Sequence, residues 1–241
     1  MQHSGERVCL GDQEQLFLSL AEQLTRPLLQ IAQLAELGAA DDLETTRVHW
    51  TMAQLISRSS LQLVENYALS LRLQGKVMPL SLEPISLSSL LYDTAEVLQP
   101  LAQQYNVSLE LDPGSRMQPV LADRTVLQAA MTSLGQVFIL GQAEYDEPSV
   151  VRLCAHRSRY GVVAGLYGTA LQLGRDDLRR AQGFRGRTRE PLQRFVSGPA
   201  AGVFVADSLL STLATRLHVA RYHSLTGLAT TLQPSRQLQL V

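Results

Sequence analysis

The sequence predicts an α+β protein in which an N-terminal antiparallel helical hairpin precedes an α/β sandwich. Three observations carry this. Between residues 12 and 75, apolar residues recur at three- and four-residue steps, the period of amphipathic helices. After Gly75 the texture changes to short runs that alternate between strand-like and helix-like patterns. Apolar residues make up 45% of the chain but aromatics only 5%, so the core is built mainly from Leu, Ala and Val, which suits helix bundles and helix-on-sheet layers. At 241 residues the chain is long enough for one large or two small domains.

In the first helix Phe17, Leu20, Leu24, Leu28, Ile31 and Leu34 form one stripe. Gly38 and the pair Asp41-Asp42 break the pattern and can cap the next helix. There Val48, Met52, Ile56, Leu63, Tyr67 and Leu71 form a comparable stripe, and Gly75 is well placed to end it. Two antiparallel helices bury only one seam between them. A second copy, making a dimeric four-helix bundle, covers the remaining apolar face, so a homodimer is expected. Pro27 inside the first helix removes a backbone hydrogen bond, at about 3 kcal/mol in an ordinary interior. Either the helix starts or breaks there, or the kink has a purpose.

The net charge of −1 gives no global field for nucleic acid or an anionic membrane. Cys9 and Cys154 lack metal-ligand or redox spacing and read as inert thiols in a reducing compartment, and no metal site is expected. The chain has neither a run of about 18 apolar residues nor a signal-peptide core near its start, so a soluble, cytoplasmic protein without membrane contact is expected.

Downstream, the patterns predict a short strand, a helix over about 88–104 and a strand around 107–111. Strands follow at about 150–155 and 161–167, then a helix over about 201–217 and strands near 219–223 and 228–232. The divisions expected are a flexible N-terminus over 1–11, a helical dimerisation domain over 12–78 and a sandwich domain over 79–241.

Residues 16–37, LFLSLAEQLTRPLLQIAQLAEL, resemble the first helix of the dimerisation domain of bacterial sensor histidine kinases. Leu24, Pro27 and Leu28 hold places matching that family's His-Glu-Leu-Arg-Thr-Pro-Leu signature, with Thr25 and Arg26 in swapped order. Further on, Glu83-Pro84-Ile85-Ser86-Leu87, Gln99-Pro100-Leu101-Ala102 and the stretch 119–140, PVLADRTVLQAAMTSLGQVFIL, follow the family's order into its ATPase domain. The resemblance runs from about residue 12 to residue 233. It implies a sandwich of the histidine-kinase ATPase type.

The same resemblance implies that the catalytic residues are gone. The phosphorylated histidine falls on Glu22, which cannot form a phosphoramidate. Glu22 then either imitates the charge of a phosphorylated site or is a solvated helix residue. None of the five histidines lies near it, and His49 reads as a helix residue beside Trp50. The family's magnesium-binding asparagine falls on Val137, which has no lone pair, and Ser133 stands one turn earlier where the family has an acid or amide. Of the first glycine box only Thr169 survives, since Gly168 replaces its Asp and Ala170 and Gln172 replace its glycines. The second box corresponds to Gly198-Pro199-Ala200-Ala201-Gly202, where Pro199 removes an N–H that would cradle phosphate. The segment from Arg175 to Arg194 takes the place of the family's ATP lid. Its seven arginines either bind a phosphate-bearing ligand or acidic surface, or form a solvated basic loop.

The resemblance with these losses points to a pseudokinase: a dimeric scaffold or adaptor in two-component signalling, without cofactor. Its expected partner is a response regulator receiver domain docking near Gln23, Arg26, Gln30 and Gln33. Two alternatives stay open: a divergent kinase or phosphotransferase that still binds ATP, and a module that senses another ligand in a remodelled nucleotide pocket.

Overall fold

The structure, a computed structural model, describes residues 12–38, 43–115, 117–142, 149–169 and 200–235. Helix α1 (Asp12–Gly38) runs through Pro27 as one helix and pairs with α2 (Leu43–Gln74). Where the hairpin turns, Thr46 Oγ1 donates to the carbonyl of Gly38 at 3.0 Å, satisfying an end-of-helix acceptor. At the far end of α2, Gly75 N and Val77 N donate to Leu71 O and Arg72 O, both at 2.9 Å. The left-handed residue closing this terminus is Lys76, at φ 54°, and not the glycine before it.

The short strands β1 (Glu83–Ile85) and β3 (Val120–Ala122) form an antiparallel ribbon. Helix α3 (Leu87–Gln104) starts at Ser86, whose hydroxyl accepts from Ser89 N. Strand β2 (Val107–Asp112) follows, and helix α4 (Arg124–Gln142) begins after β3. Asp123 caps α4: its Oδ1 accepts from Val126 N at 3.1 Å and its Oδ2 from Ser81 N at 2.9 Å. One buried carboxylate thus ties the helix start to the segment leaving the hairpin.

Strands β4 (Ser149–Ser158), β5 (Gly161–Gly168), β6 (Leu217–Tyr222) and β7 (Leu225–Leu232) complete a five-stranded sheet with order β2-β4-β5-β7-β6. The β2–β4 pair is parallel and the others antiparallel. Helix α5 (Ala200–Thr212) lies beside α4. It ends five residues earlier than its apolar run suggests, because Ala214 turns left-handed at φ 56° and Thr215 N returns to Leu210 O. The chain then enters β6 at Leu217, two residues earlier than expected, with Leu217 N donating to the buried carboxylate of Asp207 at 3.0 Å.

Alternation sorts the sheet into two faces. Val151, Leu153, Ala155, Val162, Ala164, Leu166, Leu228 and Leu232 face the helices and join Leu98, Leu127, Met131, Phe138 and Leu209 in the main core. Leu73 of α2 belongs to the same core, with Leu55, Leu63, Tyr67 and Leu69 packed against it. The C-terminal half of the hairpin is therefore continuous with the sandwich. On the opposite face a second, small cluster holds Cys154, Val163, Tyr167, Leu225 and Ala229.

Replacing Asp123 by Ala removes the α4 cap and the tie to Ser81. The urea midpoint should fall by the equivalent of about 1–2 kcal/mol with the m-value unchanged.

Candidate functional site

Helix α4 carries Ser133 and Val137 one turn apart, and both are buried. Gly202, in the first turn of α5, lies directly over them: a Cβ added there would overlap Val137 Cγ2 and stand 3.1 Å from Ser133 O. Helix α2 closes the groove from the other side. Asn66, buried to 3% exposure, donates from Nδ2 to Ser133 Oγ at 2.9 Å and to Ala129 O at 3.2 Å. Its Oδ1 accepts from Gln62 Nε2 at 3.0 Å, so the buried amide is satisfied. About two helical turns further on, Gln74 donates to the buried hydroxyl of Ser208 on α5. A valine methyl, a glycine backbone and an asparagine amide fill this groove. None of them is a metal-binding carboxylate, and no group of three or more His, Cys, Asp or Glu gathers to hold a metal among the described residues.

Ser133, Val137 and Gly202 are thus brought together. Gly168 ends β5 opposite Thr226, and Thr169 follows it, exposed. Ala170, Gln172, Gly198 and the segment from Arg175 to Arg194 lie outside the described residues. Glu22, Gln23 and Arg26 fall on α1, but their side chains, like those of Phe17 and Leu20, lie outside the described part. Gln30 is half-buried and Gln33 exposed. The α1 stripe divides: Leu24, Ile31 and Leu34 are half-buried, whereas Leu28 is 61% exposed.

Asn66 and Gln74 have no counterpart in the sequence-derived site. Their one signal is position: Asn66 shares a helix face with Leu55 and Leu73, which pack in or against the core. An amide on such a face needs a partner, but only the fold reveals that the partner is Ser133.

No protein-family model matches the sequence, and no curated protein matches it. Solved structures do. The histidine kinase AdeS of Acinetobacter baumannii aligns over 89% of this chain and 98% of its own, at TM-score 0.55 and 11% identity. Full-length ShkA, solved with AMPPNP, aligns over 94% of this chain at TM-score 0.53 and 19% identity, although the match spans 47% of ShkA. This chain has the fold of the histidine-kinase catalytic core. The complex of the histidine kinase ThkA with the response regulator protein TrrA aligns over 93% of this chain and 64% of that chain, at TM-score 0.52 and 13% identity. These likenesses establish the α+β architecture of a helical region plus a kinase-type ATPase sandwich.

Truncating Asn66 to Ala leaves the buried Ser133 hydroxyl and Gln62 without their partner. Stability should drop by about 1–3 kcal/mol in denaturant titration. Gly202→Val should cost a similar amount, about 1–3 kcal/mol, by forcing α5 away from α4.

Proposed function

We propose that this chain is a catalytically inactive, histidine-kinase-like dimeric scaffold that binds a response regulator receiver domain. The observation that carries the reading is the occupied groove between α4 and α5. In the family the asparagine replaced by Val137 holds magnesium, and the glycine box that ends at Gly202 cradles phosphates. Here Val137 packs on Gly202, and Asn66 takes the hydrogen bonds of Ser133. A metal ion in that place would meet methyl groups, and a phosphate would have to displace a satisfied amide.

Dimerisation is supported by what α2 leaves uncovered. At roughly 100° per residue, Trp50, Leu61 and Val64 fall within an arc of roughly 60°. Leu55, Asn66 and Leu73, which pack on the sandwich, lie on the other side of the helix. Trp50 and Leu61 are each more than half exposed, as is Leu28 of α1. An exposed apolar face of this extent on a helical hairpin fits a second copy, completing a four-helix bundle. The receiver is proposed to meet Gln23, Arg26, Gln30 and Gln33 on α1, by analogy with the ThkA complex. A cytoplasmic setting belongs to the same reading, and no described helix is long and apolar enough to cross a membrane.

Three measurements test the proposal. Calorimetry with ATP and magnesium should show no saturable binding in the micromolar range, and a micromolar isotherm would overturn the inactive-pocket reading. Light scattering should give twice the chain mass, reduced to one chain by Trp50→Glu with Leu61→Glu; a monomeric parent protein would refute the dimer. Receiver domains should be retained by the parent protein and lost from a Gln30→Glu, Gln33→Glu variant that remains dimeric.

A further inference from the structure

Between Trp50 and Leu73, every exposed residue of α2 falls on three positions of a seven-residue repeat. The first row is Trp50, Ser57, Val64 and Leu71. A second row stands four residues after each of these: Gln54, Leu61, Ala68 and, just past the helix, Gly75. Gly75 still belongs to the spiral, because its N–H donates to Leu71 O at 2.9 Å, four residues back. The third row, Thr51, Arg58, Glu65 and Arg72, flanks the seam on one side. Trp50 and Leu61 are 57% and 59% exposed, and Leu71 41%, so nothing within the chain covers this line. Apolar residues at alternating steps of three and four are the pattern by which one helix packs along another.

Helix α1 offers no such line among the described residues. Its exposed leucines Leu28, Leu29 and Leu37 point at roughly 0°, 100° and 180° around the helix. The match for the α2 seam is therefore the same seam on a second copy.

We propose that two copies of this chain pack antiparallel, α2 against α2, along this seam. The proposal rests on the dimer reading above and adds the arrangement of the copies. With Leu61 opposite the partner's Val64, every layer follows. Trp50, the largest side chain of the seam, meets the partner's Gly75, which has none. Ser57 meets the partner's Ala68, and these two small residues let the backbones approach. Gln54 lies by the partner's Leu71, with its amide turned to the solvent edge. On the flank, Arg58 faces the partner's Glu65, and the two-fold axis repeats the pair. Neither residue makes an ion pair within its own chain among the described residues.

A parallel pairing has none of this complementarity. It stacks Trp50 on the partner's Trp50 and, two turns on, Ser57 on the partner's Ser57, bulk followed by a gap. It also sets Arg58 beside the partner's Ala53 and Glu65 beside the partner's Ser60, both uncharged. Within each chain the sandwich packs on the other side of α2, through Asn66 and Leu73, and does not compete for the seam. Because that contact lies in the C-terminal half of α2, antiparallel helices carry the two sandwiches at opposite ends of the assembly.

The test uses the full chain with Cys9→Ser, in which the remaining Cys154 is buried. Nitroxide labels are placed at Thr51→Cys and, in a separate protein, at Arg72→Cys, and distances between copies are read by pulsed electron resonance. The antiparallel register predicts about 35 Å between the labels at 51 and about 30 Å between those at 72, from the helical rise. A parallel pair holds both below about 20 Å. In the unlabelled chain, Arg58→Glu sets like charges together twice and should raise the dimer dissociation constant about tenfold. Adding Glu65→Arg should restore it. Short distances at both positions, or a charge swap that fails to restore affinity, would overturn the antiparallel seam while leaving the dimer intact. A parent chain that is monomeric by light scattering would remove the dimer and the seam together.

Discussion

Helix α4 is enclosed on every side, and the rest of the architecture is arranged around that enclosure. Every residue from Ala129 to Ile139 is buried. A helix apolar all round must find cover in every direction. The sheet, α3, α5 and the C-terminal half of α2 each supply one side. Close approach of α5 depends on Gly202, whose missing side chain makes room for Val137. Cover by α2 depends on Asn66, because Ser133 and the carbonyl of Ala129 are polar atoms in an otherwise apolar contact. The hairpin and the sandwich thereby share one core, and their relative placement is fixed by packing as well as by the intervening chain.

The same enclosure closes the groove between α4 and α5. In this chain it holds a valine methyl and an amide with all its hydrogen bonds made. Val137 meets the Gly202 backbone, and Asn66 satisfies the buried Ser133 hydroxyl. The helices α4 and α5 are packed on each other there, and Trp50 and Leu61 of α2 stay exposed on the face of the hairpin turned away from the sandwich.

The two faces of the sheet differ in kind. Aliphatic residues of the helix side interdigitate with α3, α4 and α5. The outer face is closed by its own rings and by one hydrogen bond between its two edge strands. Burial there pushes the Cys154 thiol up to about 12, so the cysteine stays protonated and inert.

Local patterns in the sequence are enough to place both hairpin helices and most of the strands. Each of these follows from periodicity or from a residue whose backbone preference acts over a few positions. The end of α5 is not marked in the sequence: Leu213 continues the apolar run, while the stop is set by a left-handed Ala214 that no propensity marks. The identities of Glu22, Val137 and Gly168 are read from residue order alone. That Val137 meets Gly202, that Asn66 reaches Ser133 across 67 positions and that Tyr222 reaches Asp112 across 110 were decided only by the tertiary structure. The physical reason is that hydrophobic patterning fixes which face of each element is buried, whereas the partner of a buried polar group depends on how distant elements are brought together.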